Sequence, residues 1–329
     1  MKRRRLGKTD LELTELSFGT AAIGNLYRPV TRDHAMATLT AAWEAGMRYF
    51  DTAPFYGQGL AERRVGDFLQ GKARKDFVLS TKVGRILTPI TDGSNPDNGF
   101  VDALPFSVNY DYSYDGIMRS WEDSLTRLGL TSVDILFVHD LESDSFAGDD
   151  YAAHLETFIT SGIHALRDLK ASGRIGAFGL GVNQVSACVN VMDRVSIDCI
   201  LMAGRYSLLD RSATGKLMEI CADSRTAMVI GGVFNSGILA TGARPGATFN
   251  YTEATAEIME KVDQMDSVAT EHGVALPAAA LQFPLRDPVV ASVLIGTAKA
   301  QSLRRNLDLF EQAVPDALWP RMDDIALRP

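Results

Sequence analysis

Over its 329 residues the chain alternates eight short apolar segments with eight helix-period segments. That alternation predicts an α/β fold, a (β/α)8 barrel with long loops at the C-terminal face of its strands. Two further observations point the same way. The apolar segments are apolar throughout instead of alternating, as strands buried on both faces of a parallel sheet must be. The length suits a barrel folded as one unit over residues 1–329, since neither a linker nor a low-complexity stretch interrupts it. The pattern by itself leaves a doubly wound sheet open.

A turn signal, Gly7-Lys8-Thr9-Asp10, marks an opening hairpin-like segment. The expected strands are then 16–19, 47–50, 77–81, 133–138, 175–182, 197–201, 227–232 and 293–296. Helices are expected at 33–45, 60–70, 115–128, 155–171, 185–194, 212–223, 254–272 and 299–310. In 115–128, Ile117, Trp121, Leu125 and Leu128 fall on one helical face. Two connections are long, and both follow strands. Residues 85–114 read as an aromatic lid without regular structure, carrying Phe100, Phe106, Tyr110, Tyr112 and Tyr114; residues 235–253 carry Asn235, Gly237, Gly242, Pro245 and Gly246.

Composition narrows the function. A net charge of −8 and a pI near 5.2 argue against nucleic acid, whose phosphates demand clustered positive charge. The short basic run Lys2-Arg3-Arg4-Arg5 reads as a solvated first strand. Cys188, Cys199 and Cys221 form no CxxC pair and suit a reducing cytoplasm. No apolar run approaches the ~20 residues of a membrane span, and the N-terminus lacks a signal-peptide core, so a cytoplasmic protein is expected.

The polar residues at strand ends carry the chemistry. The second strand ends on Asp51, with Tyr56 just beyond it; the third ends at Thr81-Lys82 and the fourth at His139-Asp140. Each alone has an ordinary structural explanation, but four such groups from three consecutive strand ends are harder to explain that way. A charge in an apolar strand end costs several kcal/mol unless paired, so Asp51 and Lys82 are expected to answer one another. Tyrosine titrates at ~10 in water, and a nearby ammonium would stabilise its phenolate. His139 would then orient a substrate oxygen. No metal is expected, because the five histidines show no ligand spacing. A GxSxG elbow and a phosphate loop are absent from the sequence, and the lone "GLG" at 179–181 is not a dinucleotide fingerprint.

These motifs resemble the aldo-keto reductase family over essentially the whole chain: Gly19-Thr20, "DTAPFYG" at 51–57, "STK" at 80–82 and "FVHD" at 137–140, in that order. The resemblance implies a (β/α)8 barrel and an extended nicotinamide cofactor at its C-terminal face. It implies Asp51, Tyr56, Lys82 and His139 as the catalytic tetrad, with Tyr56 the proton donor or acceptor. Cofactor contacts are implied for Gly19, Thr20, Asp51, Asn183, Phe234, Asn235, Gly237, Ile295, Gly296, Thr297, Lys299, Leu303 and Asn306.

The chain also departs from the commonest family pattern. Gly181-Val182-Asn183 stands where many members have a Ser-Asn pair, Ala203 replaces a glutamine, and Gly231 replaces an aromatic. Gly296 and Ser302 occupy positions that are basic in several NADP-preferring members, so NAD is expected, with NADP possible. "GLGVNQ", "LMAGRYSLLD" and the aromatic-rich loop are similar to a branch that oxidises cyclic hemiacetals to lactones. The small-molecule substrate expected first is an aldose such as L-fucose or D-arabinose, contacted by Phe55, Tyr56, His139, Phe106 and Tyr112. The alternatives are pyridoxal, a general NADPH aldehyde reductase, and a non-catalytic regulatory subunit. The oligomeric state is left open.

Overall fold

The computed structural model describes residues 1–94, 97–146 and 150–328. Eight parallel strands close a barrel in chain order. They are β1 (Leu16–Gly19), β2 (Tyr49–Asp51), β3 (Val78–Val83), β4 (Ile135–His139), β5 (Ala177–Val182), β6 (Cys199–Ala203), β7 (Ala227–Gly231) and β8 (Val290–Ile295). All eight lie on the predicted apolar segments. The doubly wound alternative is ruled out by closure, since β8 pairs with β1 at Val293–Leu16 and Ile295–Phe18.

Side chains alternate along a strand, so every second residue faces the barrel interior. Tyr49, Ile135, Phe137, Ala177, Cys199, Leu201, Ala227, Val229, Ala291 and Leu294 pack together as that interior, closed below by Leu6 and Leu13. These last two belong to an antiparallel N-terminal hairpin, Arg3–Arg5 against Glu12–Thr14, around the predicted turn. One period further up, the same inward rows reach Asp51 on β2, Lys82 on β3 and His139 on β4. On β5, β6 and β7 they reach Gly181, Ala203 and Gly231. The upper layer is thus ionisable on one side and nearly bare on the other.

The larger core lies between the strands and an outer ring of helices. The ring comprises α1 (Arg32–Glu44), α2 (Leu60–Leu69), α3 (Tyr114–Leu128), α4 (Ile163–Ala171), α5 (Val185–Met192), α6 (Lys216–Ser224), α7 (Ala256–Glu271) and α8 (Ala300–Glu311). Side chains of Thr31, Ser113 and Thr255 cap the first turns of α1, α3 and α7. The expected helix at 155–171 is broken: Asp150–Thr157 meets α4 through a π turn, Phe158–Gly162. Two further helices, Leu276–Gln282 and Leu318–Ile325, are short and escape a periodicity reading. No helix among the described residues is long and apolar enough to cross a membrane.

The 85–114 connection differs most from expectation. It opens and closes as a two-stranded ribbon, Arg85–Pro89 against Phe106–Tyr110. Thr88 and Ser107 face each other across it at 3.1 Å, the kind of cross-strand pair that holds a ribbon in register. Gly84 turns the chain into the ribbon at a φ of 93°, and a Cβ there would strike the Tyr112 ring at 2.3 Å. The 235–253 connection contains a one-turn helix, Ile238–Thr241, and a small hairpin, Thr248–Phe249 against Thr252–Glu253.

Candidate active site

Parallel register sets Asp51 beside Ser80, and Lys82 reaches back across that pair. Lys82 Nζ donates to Asp51 Oδ2 at 2.6 Å and to the Thr52 carbonyl at 3.0 Å. Ser80 Oγ donates to Asp51 Oδ1 at 2.6 Å, and Tyr49 Oη lies 2.9 Å from Ser80 Oγ. Both charges are sealed from water, at 1% exposure each. Gly181 makes the room: a Cβ there would stand 3.3 Å from Lys82 Cε. Tyr56 sits on the turn after β2, its ring centroid 4.7 Å from Lys82 Nζ and 5.9 Å from the His139 ring. The four predicted catalytic side chains therefore meet, and the predicted Asp51–Lys82 pair is formed.

Burial dominates the electrostatics. It pushes Asp51 up, against the opposing pull of Lys82. Burial alone would bring Lys82 down, yet Asp51 and Tyr56 outweigh it and the ammonium is raised. Tyr56 is pushed up to about 12 by burial, with Lys82 acting in the other direction. The ammonium thus lowers the phenol as the sequence suggests, but from a buried starting point well above ~10. Burial, then Arg85 and Lys82, hold the His139 imidazole well below its ordinary value, so the ring is neutral. Its Nδ1 is buried without a partner among the described residues, while Nε2 lies 3.5 Å from Asp140 Oδ2. Asp140 itself is pushed up to about 6, by burial first, with its partner Arg85 opposing.

Tyr56, Lys82 and His139 open into a cavity of about 290 Å³, walled by Ala21, Leu26, Tyr27, Phe55, Asn98, Gly99, Phe100, Asp140, Gly181, Val182, Asn183, Leu201, Ala203 and Tyr251. Phe55 and Phe100 meet edge to face at 5.3 Å. Of the predicted substrate contacts, Phe55, Tyr56 and His139 are in this wall. Phe106 and Tyr112 are not, and both are corrected. Phe106 lies at the tip of the ribbon, paired with Pro89. Tyr112 is fully buried, its hydroxyl donating to the His139 carbonyl at 2.7 Å, so it supports the catalytic strand from behind. The ring that the same connection turns toward the cavity is Phe100, bridged to Leu26. Asp140, beside His139 at the end of the fourth strand, is given no role by the sequence, and Tyr27 and Tyr251 were missed. The only signal of those two in sequence is position, on connections that follow strands.

The predicted cofactor residues line up along the strand ends from β5 to β1. Asn183 is in the cavity wall. Gly296 follows β8 so closely to β1 that a Cβ would stand 3.2 Å from the Gly19 carbonyl. Gly237 faces open space at a φ of 103°, and Phe234 is half-buried. Thr297 and Asn306 are half-buried, and Lys299 is exposed at the start of α8, which has no side-chain cap. Ile295 and Leu303 are core side chains, leaving only their backbone to a ligand. Asn235 turns inward, donating to the Gly204 carbonyl at 3.1 Å and accepting from Ser207. The residues fit an extended dinucleotide in two respects. The buried Thr20 Oγ1 has no partner among the described residues, and Gly181, Ala203 and Gly231 leave the β5–β7 side bare where a flat ring needs space. The first turn of α8, from Ala300, has no side-chain cap, so its orphan amides are available to an anion.

The sequence profile of the Aldo/keto reductase family matches residues 15–327. The chain is 42% identical over 328 residues to a pyridoxal 4-dehydrogenase of Microbacterium luteolum, covering 97% of this chain and 95% of the relative. It is 36% identical over 324 residues to a D-threo-aldose 1-dehydrogenase of a Pseudomonas species, covering 97% and 96%. The fold is similar to that of a Bacillus halodurans aldo-keto reductase in its holo form, with a TM-score of 0.77 at 24% identity over 99% of this chain and 97% of that one. Matched along nearly its whole length by that profile and by two dehydrogenases, the chain belongs to the aldo-keto reductase family and is an NAD(P)-dependent oxidoreductase.

Proposed function

We propose that this enzyme oxidises a cyclic hemiacetal to its lactone, with NAD as the cofactor and the ring form of pyridoxal as the substrate. The observation that carries the reading is the junction of an acid–base cluster with a small cavity walled by aromatic rings. Its volume, about 290 Å³, is near the lower end of the ~300–1,000 Å³ typical of ligand sites, and Gly181, Asn183 and Ala203 of the same wall form the nicotinamide side in this reading, so the substrate must be small. Phe55, Phe100, Tyr27 and Tyr251 bring aromatic rings to the wall against which a pyridine ring can pack. The sequence puts an aldose first; the aromatic wall is our reason for placing pyridoxal ahead of it. An aldose remains the second reading, because Asp140 and Asn98 put polar groups in the same wall and the D-threo-aldose relative is 36% identical.

A nicotinamide, which residues at the ends of β5 to β8 would hold, would supply the hydride acceptor. Tyr56 takes the hydroxyl proton of the hemiacetal as its ring C–H leaves as hydride and the lactone C=O forms. A phenol raised to about 12 is protonated at neutral pH, so it is a ready donor in the reductive direction. For oxidation it must first lose its proton, and the Lys82 ammonium favours that loss. Asp51 keeps Lys82 in place, and neutral His139 offers Nε2 to the substrate oxygen. Gly296 and Ser302, neither basic, support NAD over NADP at the start of α8.

Initial rates with NAD and NADP, each against pyridoxal, L-fucose and D-arabinose, test the reading, with the lactone identified by mass. Turnover of pyridoxal to lactone with NAD is expected to be the most efficient. Reduction of open-chain aldehydes with NADPH, and no lactone from any ring substrate, would overturn it.

A further inference from the structure

Three contacts fix Asn183 in the cavity wall. The Glu142 carboxylate, 3% exposed, accepts the backbone N–H groups of Asn183 and Gln184 on Oε2, at 2.6 and 2.9 Å. Its Oε1 accepts Asn183 Nδ2 at 2.9 Å. From the other side, Arg205 Nε donates to the Asn183 carbonyl at 2.9 Å, and Arg205 Nη1 continues to Asp210 and Asn250. Both Glu142 oxygens accept here, so Glu142 dictates which end of the Asn183 amide turns toward it. That end is the NH2. The other end, Oδ1, makes no hydrogen bond among the described residues. Of the residues that β5, β6 and the turn after β5 bring to the wall (Gly181, Val182, Asn183, Leu201 and Ala203), Asn183 alone has a polar side chain, so amide recognition on that side falls to it.

We propose that Glu142 is a positioning residue: it turns the Asn183 amide so that Oδ1 faces the cavity as an acceptor for the carboxamide NH2 of the nicotinamide. The inference rests on the reading of this wall as the nicotinamide site. Its chemistry makes a specific demand on Glu142→Gln. The one remaining carbonyl oxygen is claimed by the two backbone N–H groups, and the new NH2 confronts Asn183 Nδ2. The Asn183 amide then turns over and presents a donor where the ligand also has one.

Calorimetric titration with NADH and with ADP-ribose, which lacks the nicotinamide, separates this from a loss of structure. Glu142→Gln is expected to weaken NADH about tenfold, the scale of one exchanged hydrogen bond, and to leave ADP-ribose within about twofold. Asn183→Asp should show the same selective loss, because two carboxylates then face each other. Adding Glu142→Gln to it should restore NADH affinity, the glutamine NH2 now donating to the carboxylate introduced at position 183. Unchanged NADH binding in Glu142→Gln, equal weakening of both ligands, or failure of the paired variant to recover would each overturn the positioning role. Asn183→Ala distinguishes the underlying reading: if it binds NADH as the wild type does, the carboxamide assignment falls and the role of Glu142 falls with it.

Discussion

The floor of the cavity and its rim are built on opposite principles. On the floor, Asp51 and Lys82 are each 1% exposed and every charge is answered by a partner on a neighbouring strand. On the rim, Tyr27 and Tyr251 are 67% and 68% exposed and adopt left-handed φ angles of 62° and 65°. A bulky residue held there carries backbone strain, which concentrates at binding sites. The difference separates tasks. On the function proposed above, strand ends, positioned by the ladder, hold the chemistry that tolerates little displacement, and loops hold the contacts by which one ring is told from another.

Changes on the floor should therefore cost far more than changes at the rim. The largest loss is expected for Tyr56→Phe: turnover should fall by roughly 10²–10⁴-fold, the worth of a positioned acid–base group, while the dissociation constant for NADH holds. Turnover within tenfold of wild type would remove Tyr56 from the acid–base role. Lys82→Met comes next. It leaves Asp51 as a buried charge without its cation, a change that costs roughly 3–5 kcal/mol of stability by thermal or urea melts. Because Lys82 lowers a phenol already raised to about 12, its loss must move the rise of the oxidation rate with pH, which follows loss of the phenol proton, to still higher pH. A pH–rate profile that stays in place in an active Lys82→Met enzyme would break the coupling.

The rim predictions are smaller and test its membership. Phe100→Ala should raise the Michaelis constant for a ring substrate roughly tenfold, in line with ~0.5–1.5 kcal/mol for an aromatic contact plus the area it covers. Phe106→Ala, outside the wall, should change it by less than about twofold; equal effects would return the substrate to the ribbon. The smallest effect lies at the far end of the cofactor. Ser302→Arg should improve the efficiency with NADP about fivefold, since an exposed ion pair contributes under ~1 kcal/mol. A Ser302→Arg enzyme with an unchanged NAD-to-NADP ratio would exclude that turn of α8 from reading the ribose.

Much of the floor was legible in the chain because it is local and periodic. "YFD" and "STK" each place a charged residue at the top of an apolar strand, and the interior layer follows by counting in twos. The rim has no such period. Leu26, Tyr27, Phe100 and Tyr251 come from three connections that meet only when the barrel closes, so choosing among the aromatics of 85–114 gave Phe106 and Tyr112 in place of Phe100. The ribbon was missed for a related reason. Its second strand, Phe106–Tyr110, does alternate apolar and polar residues, but its partner Arg85–Pro89 does not, and nothing local in the chain pairs two short segments separated by residues 90–105.

By itself the sequence determined the order of the eight barrel strands and the candidate acid–base set on β2, β3 and β4, and it favoured a closed parallel barrel while leaving a doubly wound sheet open. Those features depend on hydrophobic periodicity and on where charges interrupt it, and both are properties of neighbours along the chain. Tertiary structure decided the rest: that burial takes Tyr56 to about 12 despite Lys82, that Tyr112 braces His139 from behind, and that Glu142 faces Asn183. Desolvation and side-chain pairing depend on which distant segments exclude water from a group and which donors they bring, and no spacing along the chain encodes either.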